Sequence, residues 1–267
     1  MSTPREGYPR TAAVSPRVQV VESTDSTNAD VVRLAAGDPQ SWPHLSMLIT
    51  EDQRRGRGRL DRVWTAPPGT ALAVSVVVRV PGIPAAARGW VPLIAGAAMA
   101  ESIARRLDPG AHDTALKWPN DVLVDGGKIC GILAEAIAMD PDAIVIGAGV
   151  NTRMPRAELP VETATSFAAI GRESDDDALL ADYVVGLERM LAALAAAGGD
   201  AEAAGVRAEV SDRCSTLGAQ VRVTLPGGGV LEGRAEAIDG DGRLVVASTD
   251  GSTATVSAGD VVHVRRA

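Results

Sequence analysis

Between Gln53 and Trp64 the chain sets five arginines (Arg54, Arg55, Arg57, Arg59 and Arg62) around the glycines Gly56 and Gly58. Guanidinium groups are permanently charged and present planar donor forks that match carboxylates and phosphates. Glycine lets such a loop adopt unusual backbone angles cheaply, and leaves it mobile until an anion pins it. The chain as a whole carries a formal net charge of -8. Positive charge gathered in one loop of an acidic protein reads as an anion site, with a solvated RG-rich surface loop as the plain alternative.

Further clusters carry polar atoms suited to chemistry. Asp25-Ser26-Thr27-Asn28 places hydroxyls and a carboxamide at a strand-to-helix junction, where a simple helix cap also accounts for Ser26 or Thr27. Lys117-Trp118-Pro119-Asn120-Asp121 closes a strand with a cation, a carboxamide and a carboxylate around a proline that favours an extended turn. A surface lysine beside an ordinary turn accounts for the same residues. Gly127-Lys128-Ile129-Cys130-Gly131-Ile132-Leu133-Ala134-Glu135 opens an apolar strand with a lysine, which can equally snorkel to solvent. Its Gly131 sits where a ligand can approach the backbone. Gly147-Ala148-Gly149-Val150-Asn151 ends another strand in a polar residue after two glycines.

Composition narrows the functions these clusters can serve. A length of 267 residues with 46% hydrophobic residues describes a globular chain with one large core and room for a small appendix. The aromatic content of 3% leaves Ala, Val, Leu and Ile to fill that core. Two cysteines (Cys130 and Cys214) and three scattered histidines form no metal-cage or disulfide pattern. A reducing cytoplasm is the expected compartment. The longest apolar run, Trp90 to Ala100, is well short of the roughly 20 residues a membrane span needs. Acidic net charge argues against general nucleic-acid binding.

The elements that must position these residues are legible as follows. An alternating strand spans 17–22, and a helix from Ser26 or Thr27 runs to about Ala36 with Gly37 ending it. Strands are predicted at 45–50 and 70–80, the second strongly β-branched. A helix follows from Trp90 through Glu101, with Pro92 tolerated in its first turn. Strands at 115–118, 122–124, 129–137 and 143–150 complete a mostly antiparallel sheet, with Asp125-Gly126-Gly127 as a hairpin turn. A long helix covers 175–197 and a weaker one 201–213. Short strands at 220–225, 230–238, 243–247 and 253–264 form a small barrel-like module. The expected organisation is a loose N-terminal tail (1–16), an α+β domain (17–213) and a C-terminal module (214–267).

The ordered set DSTN, QxxGRGRxxRxW, KWPND, GKxxGIL and GxGxN resembles the biotin protein ligases, from about residue 18 to the C-terminus. The resemblance implies a class II synthetase-like mixed/antiparallel sheet with flanking helices, plus a C-terminal SH3-like β-barrel. It implies two steps: biotin and MgATP give biotinyl-5′-adenylate and pyrophosphate, and the acyl group then passes to a lysine of a biotin carboxyl carrier domain. Lys128, Arg59 and Lys117 become the catalytic cations. Ser26, Thr27, Asn28, Gln53, Gly56, Arg57, Arg59, Lys128, Gly131, Leu133 and Gly149 become the biotin pocket. Arg57, Arg59, Trp64, Lys117, Asn120, Lys128 and Asn151 contact ATP or the adenylate, with Trp64 stacked on adenine and Asp121 as a Mg²⁺ ligand. Arg265 is expected to contact ATP or the carrier.

Arg54 and Arg55 stand where the family has small or neutral residues, and Asp61 where glycine is common, which puts the loop's motion in question. The first motif begins at Asp25, so the expectation is a monofunctional ligase without an operator-DNA-binding domain, as a monomer or weak homodimer. A lipoate- or octanoate-type acyl-protein ligase is the second enzyme reading; such proteins share the fold and an equivalent lysine but generally lack the GRGR loop and KWPND. An arginine-rich nucleic-acid module leaves Ser26–Asn28 and Asp121 without a function.

Overall fold

The structure is a computed structural model that describes residues 7–60, 62–225, 228–248, 251–257 and 260–263. In chain order the elements begin with α1 (Pro9–Val14), β1 (Val18–Val20), α2 (Thr27–Gly37), β2 (Met47–Thr50), β3 (Gly56–Arg57) and β4 (Val63–Trp64). Then come β5 (Ala71–Arg79), α3 (Trp90–Ala104), β6 (Thr114–Lys117), β7 (Asp121–Val124), β8 (Gly127–Ile137) and β9 (Asp140–Asn151). After α4 (Asp176–Ala196) and α5 (Val206–Arg213) the C-terminal strands are β10 (Gln220–Thr224), β11 (Val230–Ile238), β12 (Leu244–Ala247), β13 (Thr253–Val256) and β14 (Asp260–His263).

Seven strands form the main sheet in the order β1-β2-β5-β9-β8-β7-β6. Only the β1–β2 pair is parallel; the other pairings are antiparallel. β5 reads ALAVSVVVR and is buried over almost its whole length, because both sheet faces are covered. One face packs Val31 and Ala35 of α2 with Trp42, Leu48, Val77 and Val145. The other packs α3 and α4 into the main core through residues such as Leu93, Ile94, Tyr183 and Leu187. Helix α3 is apolar nearly all round and correspondingly buried, and Pro92 sits in its first turn, where no backbone hydrogen bond is lost. The β7–β8 hairpin turns at Asp125 (φ 49°) and Gly126 (φ 77°), the pair of positive angles that a tight primed turn requires.

The C-terminal strands form a five-stranded antiparallel sheet, β13-β12-β11-β10-β14. Among the described residues no pairing of β13 with β14 closes it into a barrel. Two buried indoles fasten this sheet to the main body: Trp90 Nε1 donates to Gly240 O at 2.7 Å and Trp118 Nε1 to Gly242 O at 3.2 Å. Thr216 Oγ1 also accepts from Trp118 N at 3.0 Å. The segment that carries Lys117, Asn120 and Asp121 is thereby held from behind.

Several expectations are corrected. The N-terminal segment is not loose throughout, since residues 9–14 form α1 against α4. Asp177, 166 residues away from Thr11, accepts from Arg10 N at 3.0 Å and Thr11 N at 2.9 Å and so caps the short helix. No local pattern announces a cap supplied from so far away. Gly37 is the last residue of α2 rather than its terminator, and Asp38 forms the C-cap. The helix expected from 201 begins at Val206, after the left-handed Gly205. The strand expected over 253–264 is two strands, β13 and β14. The arginine loop contains a small hairpin, β3 with β4, pairing Gly56 with Trp64 and Arg57 with Val63.

Candidate active site

The sequence clusters converge on one cleft of about 170 Å³. Its floor is the centre of the sheet, its side wall the N-terminus of α2, and its roof the β3–β4 hairpin with the tip that follows Arg57. Gly131 and Gly149 lie opposite each other across β8 and β9. The Trp64 indole rests on that floor so closely that a Cβ at Gly149 would stand 2.5 Å from its Cε2. A Cβ at Gly131 would likewise crowd Lys128 Nζ at 3.2 Å. The glycines at these positions are therefore absences of side chain that make room.

One end of the cleft is made of neutral groups bound to one another. Ser26 caps α2, accepting from Ala29 N at 3.3 Å, and Thr27 and Asn28 follow in the first turn. Gln53 Oε1 accepts from Thr27 N at 2.8 Å and Thr27 Oγ1 at 3.0 Å. Ser75 Oγ lies 2.8 Å from Thr27 Oγ1 and 2.6 Å from Asn28 Oδ1, and its single proton serves one of them at a time. Asn28 Nδ2 donates to Leu133 O at 3.2 Å and Glu135 Oε2 at 2.7 Å. Thr27, Asn28 and Ser75 are buried at 3%, 4% and 0% exposure, so this end is dry and rigid.

The other end is cationic. Lys128 Nζ pairs with Asp121 Oδ1 at 2.6 Å, the two side chains 42% and 23% exposed. Arg59 Nη1 donates to Asn120 Oδ1 at 3.1 Å, while Asn120 Nδ2 donates to Ile132 O at 2.7 Å. Asn120 thus spends its carboxamide holding Arg59 against the sheet. Lys117 lines the same end and makes no ion pair with a described residue. Its charge is felt by half-buried His263 on β14, whose pKa is lowered first by desolvation and then by Lys117. Only two of the chain's 26 basic residues are lysine, Lys117 and Lys128, and both line this end. Wherever arginine serves elsewhere the chain uses it; here two compact ammonium groups stand instead.

The expected residues gather with a few exceptions. Ser26, Thr27, Asn28, Gln53, Arg57, Arg59, Trp64, Lys117, Asn120, Asp121, Lys128, Gly131, Leu133 and Gly149 all line the cleft. Gly56 does not: it lies beneath Gln53, where a Cβ would meet Gln53 Nε2 at 2.3 Å, so its bareness lets that side chain cross the strand. Asn151 does not line it either, because its Nδ2 donates to Thr165 O at 2.9 Å. Arg57 sits at the neutral end, its Nη2 donating to Glu135 Oε2 at 3.1 Å, and not among the other cations. Arg54 and Arg55 point outward to Asp52 (3.2 Å) and Asp25 (3.8 Å). Asp61 and Arg265 lie outside the described residues.

Asp121, the expected Mg²⁺ ligand, lines the cationic end of the cleft. Its carboxylate pairs with Lys128. Sequence reading passed over Ser75, and named Glu135 and Gly147 within their clusters without giving either a role. Ser75 had a signal, a lone hydroxyl inside a run of alanines and valines that is otherwise apolar from Ala71 to Val78. Gly147 has a purely spatial reason, since a Cβ there would collide with Asn28 Oδ1 at 2.3 Å.

Fold and cleft together define a mixed α and β protein, with a large mixed sheet, built to hold a small molecule with a neutral, hydrogen-bonding end and an anionic end. The Biotin/lipoate A/B protein ligase family matches residues 20–151, and the biotin protein ligase C terminal domain matches residues 216–264. The biotin--[acetyl-CoA-carboxylase] ligase of Mycobacterium tuberculosis is 39% identical over 249 residues, 93% of this chain and 90% of that protein. The chain belongs to the biotin protein ligases of this family. The bifunctional ligase/repressor BirA of Escherichia coli (strain K12) is 40% identical over 147 residues, 53% of this chain and 42% of that protein. In fold, the chain is similar to the biotin protein ligase from Aquifex aeolicus solved in complex with biotin and ATP. That likeness has a TM-score of 0.73 at 20% identity, covering 94% of this chain and 99% of the other. Among the described residues no helix is long and apolar enough to cross a membrane.

Proposed function

We propose that the chain activates biotin with ATP and passes it to a lysine of a biotin carboxyl carrier domain. The observation that carries this reading is the two-ended cleft, with Thr27, Gln53, Ser75 and Asn28 at one end and Arg59, Lys117 and Lys128 at the other. A ureido ring is neutral, flat and rich in both donors and acceptors, so it suits the dry end, where unmet polar groups would be costly. The valeryl arm then runs along the Gly131–Gly149 floor and brings its carboxylate to the cations. ATP approaches with its α-phosphate at the same cations and its adenine on the open side of Trp64.

In the first step a carboxylate oxygen attacks the α-phosphorus, the bond to the β-phosphate oxygen breaks, and pyrophosphate leaves. Two anions must meet, so the principal task is electrostatic: Lys128 neutralises charge between carboxylate and phosphate, with Lys117 and Arg59 flanking. Magnesium enters as the counter-ion of ATP, as part of the substrate. In the second step the carrier's neutral ε-amine attacks the acyl carbon, the carbon–oxygen bond to AMP breaks, and the amine loses a proton as the amide forms. Roles for Lys117, Asn120 and Trp64 toward ATP belong to this proposal, as do residues 17–213 as the catalytic domain. The C-terminal sheet is read as SH3-like, and the setting as cytoplasmic.

The test is incubation with biotin, MgATP and a carrier domain, with the mass of the carrier lysine as readout. A gain matching one biotinyl group at one lysine is expected. Lipoate-dependent pyrophosphate exchange without biotin-dependent exchange would overturn the biotin assignment in favour of a lipoate-type ligase.

A further inference from the structure

Glu135 sets a carboxylate behind Asn28 and Arg57, two residues that line a cleft whose proposed substrates are anions, and no step of the proposed reaction uses it. Its position on β8 gives it two partners from different elements. Oε2 accepts from Asn28 Nδ2 on α2 at 2.7 Å and from Arg57 Nη2 on β3 at 3.1 Å. Asn28 is buried and held by Leu133 O and by Ser75. Arg57 belongs to the roof. A single carboxylate oxygen therefore ties the rigid neutral end of the cleft to the hairpin that covers it.

We propose that Glu135 is a positioning residue that latches the arginine hairpin over the cleft, with Arg57 as the cation of that latch. This rests on the ligase reading for what the roof retains, though not for the contact itself. The pair is well suited to a latch that opens at every turnover. Its side chains are 49% and 26% exposed, so water screens it, and pairs of that kind shift an equilibrium by roughly one-and-a-half- to fivefold. A much stronger pair would hold the acyl-adenylate away from the carrier lysine. Glu135 also keeps Arg57 from competing with Lys128 for the substrate carboxylate, which gives an acidic group beside the cleft a role.

The test uses the full chain and Glu135→Gln, whose carboxamide oxygen still accepts from Asn28 but carries no charge to attract the Arg57 guanidinium. Two readouts are taken: limited proteolysis of the ligand-free hairpin by subtilisin, and dissociation of preformed biotinyl-adenylate. Both rates are expected to rise roughly two- to fivefold. Arg57→Met breaks the same contact from its exposed side and guards against a folding defect in the first variant. The double variant is expected to be no faster than either single one. Unchanged rates in both single variants, or effects that add in the double, would overturn the latch. Failure of the wild type to form biotinyl-adenylate would instead remove the ligase reading, while the proteolysis rates still decide the latch.

Discussion

The two ends of the cleft solve opposite problems. At the neutral end Thr27, Asn28 and Ser75 are almost wholly buried and bonded to other protein atoms. At the cationic end Lys128 and Asp121 keep much of their surface in water. Desolvating a neutral donor or acceptor is tolerable if the protein supplies partners in advance. Desolvating an ammonium before its anion arrives is far costlier. Order is thus built in where the ligand is neutral and deferred where it is charged. The expected consequence is a division of kinetic labour, with the neutral end setting biotin affinity and the cationic end setting the rate of adenylation.

The largest test of that division is Lys128→Met. Removal of a preorganised charge at the reacting atoms is expected to slow biotin-dependent pyrophosphate exchange by roughly 10²–10³-fold, with the melting temperature little changed. Exchange within a few-fold of wild type would place the charge stabilisation elsewhere. Next in size is Ser75→Ala, which removes the donor facing Asn28 Oδ1 at a fully buried position. The lost bond is worth about 1 kcal/mol, roughly a fivefold rise in the KM for biotin at unchanged kcat. A fall in kcat at constant KM would contradict the separation of the two ends.

The sequence carried the members of both ends better than their arrangement. KWPND and GKxxGIL are contiguous strings, and the β-hairpin Asp125-Gly126 that brings them together is itself a local signal, so the Lys117–Lys128 grouping was legible. Ser75 was not singled out, because one serine in a valine run has many ordinary explanations until Asn28 is placed opposite it. Arg57 was assigned to both biotin and the adenylate, and nothing in the sequence marks Glu135, 78 residues away, as its partner. The capping of α1 by Asp177 was hidden for the same reason: one partner is local and the other is supplied by tertiary packing. Strand order was legible where hairpins connect neighbours, as in β6 through β9. It was hidden where β5 pairs with β9 across the whole intervening segment.

Asp121→Asn separates two accounts of the cationic end. As a partly exposed partner of Lys128, Asp121 is worth at most about 1 kcal/mol, so adenylation is expected to change by no more than roughly fivefold. The Mg²⁺ concentration for half-maximal rate stays the same if the metal enters only on ATP. A rise of tenfold or more in that concentration would make Asp121 a metal ligand.

The smallest effect is expected where the loop looks most unusual. Arg54 and Arg55 are 64% and 82% exposed, and they face Asp52 and Asp25 rather than the cleft. Surface pairs of this kind contribute about 0–1 kcal/mol and are screened by salt. Arg54→Ser and Arg55→Ser, singly and together, are therefore expected to leave kcat, the KM for biotin and adenylate retention within about twofold, with any residual difference vanishing at high salt. A larger loss of adenylate retention would mean that the outer arginines swing inward when the ligand is bound. The positive charge of the loop would then act as a whole, whereas the structure divides it: two arginines turned to the surface, Arg57 held by Glu135, and Arg59 held by Asn120 at the cationic end.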